Sequence, residues 1–165
     1  EEVADAVRVA LADERLGGAA REVCFAGAGE PLLRRRCLEE AALLIRQEHE
    51  AVALRLNTNG LVPESEAHEL AASLRAVGFG AASVALATAD AAQYATLMSP
   101  ESMRLSPAFS LPLGHQEVVG FVAACVAEGL DVECNAVAAP GVDVEAAAAL
   151  AASLGASFRA RDWHP

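Results

Sequence analysis

The chain has 165 residues and a formal net charge of −11, with 54% hydrophobic and 21% charged residues. This composition indicates one folded domain and excludes an intrinsically disordered chain. The negative charge argues against nucleic-acid binding, which depends on lysine and arginine to neutralise phosphates. No apolar run reaches the roughly 20 residues of a membrane helix, so we expect no membrane insertion.

Cysteine spacing bears on the compartment and on metal binding. The cysteines are Cys24, Cys37, Cys125 and Cys134. None of them forms a Cys-x-x-Cys pair, so neither a zinc site nor a disulfide framework is indicated. We therefore expect buried free thiols in a soluble protein of a reducing compartment, the cytoplasm or an organelle matrix. The four histidines also lack metal-ligand spacing.

Apolar periodicity predicts helices that alternate with strands along the whole chain. The predicted helices cover residues 1–16, 31–49, 63–77, 91–98, 116–128 and 144–154, and the predicted strands cover residues 22–26, 52–57, 82–87, 131–137 and 157–161. Residues 99–114 are expected to form a long loop or lid. In the second helix, the side chains expected to face inward are Leu33, Cys37, Leu38, Ala41, Leu44 and Ile45.

This alternation predicts an α/β fold of parallel βαβ units with right-handed crossovers. Both a barrel or half-barrel and a doubly wound open sheet fit the pattern. The chain opens on a crossover-type helix with no strand before it, and it closes after a strand. We therefore expect either a fragment of a longer chain or a partner, another protein chain or a fused domain, that covers the open edge.

The glycine-rich turn Gly27-Ala28-Gly29-Glu30-Pro31 follows the first predicted strand. Gly27 and Gly29 suit a positive φ or a close approach to a ligand, and Pro31 suits the first position of a helix. In α/β folds, functional groups collect at the carboxyl ends of the strands. A ligand site and a simple βα turn both fit this segment. A dinucleotide fingerprint is excluded because its third glycine is missing.

Three segments together resemble the radical S-adenosylmethionine (radical SAM) enzymes. They are the Gly-Ala-Gly-Glu-Pro turn, Leu56-Asn57-Thr58-Asn59-Gly60 after the next strand, and Ser83-Val84-Ala85-Leu86 followed by Asp90. The closing segments 137–141 and 158–165 are more specifically similar to the radical SAM proteins associated with TatD-type nucleases. The resemblance covers nearly the whole chain. It implies a single domain, residues 1–165, with a partial six-stranded (β/α) barrel of TIM type that lacks its first strand here.

The family binds a 4Fe-4S cluster and S-adenosylmethionine, which the cluster cleaves to a 5′-deoxyadenosyl radical. The resemblance implies that the backbone around Ala28, Gly29 and Glu30 holds the methionine amino group of that cofactor. Asn57 would reach the ribose hydroxyls. The full set of cofactor-binding residues implied by the resemblance is Gly27, Ala28, Gly29, Glu30, Asn57, Asn59, Asn135, Arg159 and Arg161.

The last three of these would lie towards the carboxylate and adenine sides of the cofactor. Arg159 and Arg161 share one face of a predicted strand, and their guanidinium groups suit a carboxylate. Structural ion pairs with Glu or Asp are an equally good interpretation of these two arginines.

Radical SAM chemistry needs three cysteine thiolates, usually spaced Cys-x-x-x-Cys-x-x-Cys after the first strand. The sequence contains no such segment. Related proteins also tend to carry polar residues where Ala85 and Ala87 stand, and an arginine where Ser99 stands. We therefore predict no metal ligand here, and a cluster only if residues upstream supply it.

Three functions remain open at this point, and no catalytic residue is assigned. The chain is a radical SAM domain completed by an upstream segment, or a degenerate, non-catalytic barrel that serves as a binding or structural subunit of a protein assembly. The third possibility is an unrelated α/β barrel enzyme that binds a phosphorylated metabolite at the glycine turn.

Overall fold

The computed structural model describes residues 2–13, 22–27, 29–98 and 113–164. Within these ranges, helices and strands alternate as predicted. The elements in chain order are α1 (Glu2–Ala12), β1 (Glu22–Phe25), a 3-10 turn (Pro31–Arg34), α2 (Arg35–Glu48), β2 (Ala53–Thr58), α3 (Glu64–Ala76), β3 (Phe79–Ala85), α4 (Ala91–Leu97), α5 (His115–Ala127), β4 (Asp131–Val137), α6 (Val144–Ser153) and β5 (Ser157–Arg161).

The five strands form one parallel sheet in the order β1-β2-β3-β4-β5. The predicted α/β class with parallel strands is confirmed. A doubly wound sheet reverses its strand order at a switch point, and the described strands contain no such reversal. Because right-handed crossovers that always move in one direction keep to one side, the connecting helices lie on the same face of the sheet.

The two faces of the sheet differ in polarity. The face that packs against the helices is apolar, and its side chains include Leu54 and Leu56 of β2, Val84 of β3, and Val132 of β4, all at most 2% exposed. The opposite face carries polar side chains in register across the strands. They are Arg55, Asn57, Ser83, Glu133, Asn135 and Arg159. The sheet therefore presents one polar surface that no helix covers among the described residues.

Caps end and begin several helices as the sequence predicted. The Asp90 carboxylate accepts a hydrogen bond of 2.6 Å from the backbone N–H of Gln93, which caps α4. Gly78 follows α3 with a φ of 101°, a conformation that glycine adopts without steric cost.

None of the helices within the described ranges is both long and apolar enough to cross a membrane.

Two local predictions are wrong. Leu33 and Cys37 are exposed rather than inward-facing, because the first four residues of this segment form a 3-10 turn, whose three residues per turn change the phase of the helix. The third strand covers Phe79–Ala85 rather than residues 82–87. The first helix is described as far as Ala12, and its predicted end at residue 16 lies outside the described residues. Residues 99–112 of the predicted lid also lie outside them.

The prediction of buried thiols holds for only two of the four cysteines. Cys125 and Cys134 are buried, whereas Cys24 and Cys37 are exposed. Cys24 lies on the polar face of β1, next to Arg55 in the register of the sheet. Burial raises the pKa of the Cys125 thiol to about 12 and that of Cys134 to about 11.

We expect an aromatic disulfide reagent at pH 8 to label Cys24 and Cys37 in the native protein. Cys125 and Cys134 should react only after unfolding, since burial hinders both access and ionisation. Peptide mapping identifies the labelled cysteines. Labelling of all four cysteines in the native protein would contradict the burial of Cys125 and Cys134.

The same two thiols predict a pH dependence of stability. Because they ionise near their ordinary pKa of 9.0 in the unfolded chain and at 11–12 in the folded one, the free energy of unfolding should fall as the pH rises from 9 to 11. Urea denaturation at each pH measures the free energy of unfolding.

Gly60 follows β2 in a position that no other residue fits. Its φ is 70°, and a Cβ atom there would lie 2.7 Å from Cγ1 of Val84. We expect Gly60→Ala to lower the free energy of unfolding by about 2–4 kcal/mol, the combined cost of backbone strain and overpacking. Urea denaturation measures this loss.

Gly120 in α5 is the matched control, because a Cβ atom added there meets nothing within 4 Å. Gly120→Ala should raise the free energy of unfolding by about 0.5–1 kcal/mol, since alanine favours a helix. If Gly60→Ala were as stable as the parent protein, the packing around the turn would differ from that described.

Candidate functional site

A cleft of about 410 Å³ lies at the carboxyl ends of the five strands, on the polar face of the sheet. It brings together eight of the nine residues singled out from the sequence. They are Gly27, Gly29, Glu30, Asn57, Asn59, Asn135, Arg159 and Arg161. The ninth, Ala28, lies outside the described residues.

Glu30 connects the turn after β1 to the turn after β2. Its Oε1 accepts hydrogen bonds from the backbone N–H of Leu32, at 3.1 Å, and from Oγ1 of Thr58, at 2.7 Å. Its Oε2 accepts a third, of 2.8 Å, from the backbone N–H of Asn59. All three donors are neutral, and no described cation pairs with this half-buried carboxylate. Its negative charge is therefore fixed in position, and no cation of the described ranges compensates it.

The glycines of the first turn leave space beside the backbone. No positive φ is recorded at Gly27 or Gly29, so the close approach to a ligand is the alternative that remains of the two given by the sequence. A Cβ atom at Gly29 would meet nothing within 4 Å, and one at Gly27 would come no closer than 3.8 Å to another atom. The backbone here is accessible to a ligand, which is the second role that glycine can serve.

The turn after β2 is fixed by its own side chains. Oγ1 of Thr58 accepts a hydrogen bond of 3.1 Å from the backbone N–H of Gly60, and Oδ1 of Asn59 accepts one of 2.9 Å from the backbone N–H of Leu61. The amide oxygen of Asn59 is thus engaged within the turn. Asn57 is exposed in the cleft, and no hydrogen bond joins its side chain to another described residue, so its amide remains available to a ligand.

Asn135 on β4 is oriented by its neighbour on β3. Its Nδ2 donates to Oγ of Ser83, at 3.1 Å, and to the backbone carbonyl of Val84, at 3.3 Å. Since a backbone carbonyl only accepts hydrogen bonds, the nitrogen of the amide must face Val84. The Oδ1 of Asn135 is left to accept a hydrogen bond from a donor in the cleft.

The two arginines on β5 differ in their partners. Nε of Arg159 lies 2.9 Å from Oε1 of Glu133, so the ion-pair interpretation is correct for Arg159. This pair still leaves the terminal nitrogens of the guanidinium group without a described partner. Arg161 forms no ion pair with any described residue. It therefore brings to the cleft a positive charge that no carboxylate in the described part of the chain compensates.

The segment after β3 is strained beside this site. Ala87 has a φ of 65°, in the left-handed region that alanine rarely occupies. Its backbone N–H donates a hydrogen bond of 3.2 Å to the carbonyl of Asn135. The surrounding contacts maintain this conformation at a cost of order 1 kcal/mol.

Two polar residues of the cleft were given no role from the sequence. Thr58 and Ser83 both line it, and both orient other polar groups. Each belongs to one of the segments that resemble the radical SAM enzymes, which was a usable signal. The place of Ser83 beside Asn57 depends on the register between β2 and β3, which the sequence does not reveal.

The residues present offer no preformed metal centre. Among the described residues, no three His, Cys, Asp or Glu side chains are grouped so that they could hold a metal ion. The three thiolates of a 4Fe-4S site are therefore not assembled in this part of the chain.

Thr58→Val tests the connection between the two turns. The substitution keeps the side-chain volume but removes the hydroxyl, so Glu30 loses a donor and the buried N–H of Gly60 loses its acceptor. We expect the free energy of unfolding to fall by about 1.5–3 kcal/mol. In Thr96→Val, on the exposed side of α4, the lost hydroxyl bonds only to its own helix, so a change within about 0.5 kcal/mol is expected. Equal losses in the two variants would mean that the hydroxyl of Thr58 has no structural role.

Comparison with known proteins assigns no family to the chain. No family model matches it, and no curated protein matches its sequence. A proposal about its function therefore depends on the chemistry of the cleft.

Proposed function

We propose that this chain is a radical SAM-type domain, built as a partial (β/α) barrel, that binds S-adenosylmethionine in the cleft. The single observation that carries the proposal is the uncompensated carboxylate of Glu30. It lines the cleft beside the open backbone of Gly27 and Gly29. A fixed anion with only neutral donors attracts a cationic ligand, and S-adenosylmethionine carries both an ammonium and a sulfonium charge.

The other polar groups fit the remaining parts of this ligand. The free amide of Asn57 on β2 suits the ribose hydroxyls. Oδ1 of Asn135, two strands away, suits an N–H donor such as the amino group of adenine. A cleft of about 410 Å³ is within the range of roughly 300–1,000 Å³ that small-molecule sites occupy.

The residues present do not fit the cluster of the family. Two of the four cysteines are buried among apolar side chains in α5 and β4, and the other two lie on β1 and α2. The described residues supply no group of three ligands. We derive no reaction step from a cluster, and the proposed role of these residues is to bind and orient the cofactor.

A second candidate is a non-catalytic binding or structural subunit with the same fold. Ala85 supports it, because its methyl group lines the cleft at the end of β3 where the family tends to carry a polar residue. The network around Glu30 also supports it, since these hydrogen bonds maintain the shape of the rim without any ligand. Such a subunit would associate with other protein chains or with a fused domain.

Isothermal titration calorimetry with S-adenosylmethionine separates the two candidates. Asn57→Ala should raise the dissociation constant about tenfold, the effect of one lost hydrogen bond in a site. Gln47→Ala, which removes an exposed amide on α2, should leave it unchanged. The absence of binding by the parent protein would refute the proposed cofactor and favour the structural subunit.

Glu30→Gln tests the electrostatic part of the proposal. We expect it to weaken binding of S-adenosylmethionine and of S-adenosylhomocysteine to a similar extent, because both carry the ammonium group that the proposal places beside Glu30. Binding of 5′-methylthioadenosine, which lacks this group, should change little. Calorimetry with the three ligands measures this difference, and equal weakening of all three would assign Glu30 a purely structural role in the cleft.

A further inference from the structure

The two charges of the cleft that have no described partner lie at opposite edges of the sheet, on the same face. Glu30 follows β1, whereas Arg161 ends β5, so three strands separate the strands that carry them. Hydrogen bonds from Oγ1 of Thr58 and from the backbone N–H of Asn59 hold the Glu30 carboxylate against the turn after β2. At about 4.8 Å between neighbouring strands, that turn lies on the order of 14 Å from β5 along the sheet.

One amino-acid head group cannot use both charges. The ammonium and the carboxylate of an α-amino acid are attached to the same carbon atom. A methionine group whose ammonium lies beside Glu30 therefore keeps its own carboxylate near β1 and β2. Arg161 is then left without a partner from the cofactor as well as from the described residues.

We propose that Arg161 forms a separate subsite for the anionic group, a carboxylate or a phosphate, of a second small molecule bound beside the cofactor. This inference rests on the proposed function, which places the cofactor at Glu30. Guanidinium groups bind both kinds of anion through paired hydrogen bonds. The terminal nitrogens of Arg159 supply further donors on the same face of β5, because its pair with Glu133 uses only Nε.

The distribution of charge on the protein favours anion binding at Arg161 over other positions in the cleft. The protein carries a net charge of −11, so its overall field repels anions. Glu133 offsets the charge of Arg159, whereas Arg161 forms no ion pair with a described residue, the adjacent Asp162 included. An anion that enters the cleft therefore meets its most favourable position at the end of β5.

Titration of the ¹⁵N-labelled protein with inorganic phosphate, and separately with succinate, tests the subsite at constant ionic strength. We expect signals of residues 157–164 to shift with at least one of the two anions. Arg161→Gln should raise the dissociation constant of that anion at least fivefold, and Arg161→Lys should restore part of the affinity. Arg75→Gln, which removes an exposed arginine on α3, is the control and should bind like the parent.

The same titration in saturating S-adenosylmethionine separates this proposal from the proposed function. A dissociation constant for the anion that changes by less than twofold supports a separate subsite. Mutual exclusion of the two ligands overturns it, since Arg161 would then belong to the cofactor site. Unchanged anion affinity in Arg161→Gln also overturns it. If the anion binds through Arg161 but S-adenosylmethionine does not bind at all, the proposed cofactor is refuted and the anion subsite stands.

Discussion

The carboxylate of Glu30 is the contact on which both the rim of the cleft and the start of the next helix depend. The hydrogen bonds of the sheet fix β1 and β2 relative to each other, but they end where the strands end. Beyond that point, Glu30 accepts hydrogen bonds from Thr58 and Asn59 in the turn after β2. It also caps the 3-10 turn by accepting a hydrogen bond from the backbone N–H of Leu32. One side chain thus determines where the chain leaves β1 and where the polar groups after β2 are presented. Because hydrogen bonds to a charged acceptor are stronger than neutral ones, this connection is well suited to keep the two turns in one arrangement.

The polar face of the sheet carries two kinds of side chain: those that form ion pairs within the fold, and those that have no described charged partner and remain available to a ligand. Arg55 pairs with Glu22 at 3.0 Å, and Arg159 pairs with Glu133 at 2.9 Å. Both are partly exposed pairs between neighbouring strands, so each contributes little to stability and chiefly orients its side chains. Of the groups that face the cleft without a described charged partner, Glu30 and Arg161 lie at or beyond the carboxyl ends of their strands, whereas Asn57 and Asn135 lie level with Glu133 and Arg159 in the register of the sheet.

The sequence predicted the elements better than it predicted contacts between them. The last two strands match their predicted limits to the residue, because their alternation is regular and a glycine precedes each one. Cys37 was misplaced because a 3-10 turn, which the periodicity does not reveal, precedes the helix. The position of the cleft could be predicted from the carboxyl ends of the strands alone. The partner of Arg159 could not be predicted, because Glu133 lies 26 residues away in sequence and only the register of the sheet makes the two residues neighbours.

The packing around Gly60 has a mechanical consequence for the rim of the cleft. Its Cα lies so close to Val84 of β3 and Val118 of α5 that no additional methyl group fits between them. The turn that presents Asn59 therefore rests directly on the buried face of α5 and on the neighbouring strand, with no layer between them that could absorb a displacement. A ligand that pushed this turn outward would also have to shift α5, whose residues Phe121 and Val122 are fully buried. Binding at this rim is thus mechanically coupled to the interior, and the amide exchange of α5 would respond to an event at the surface.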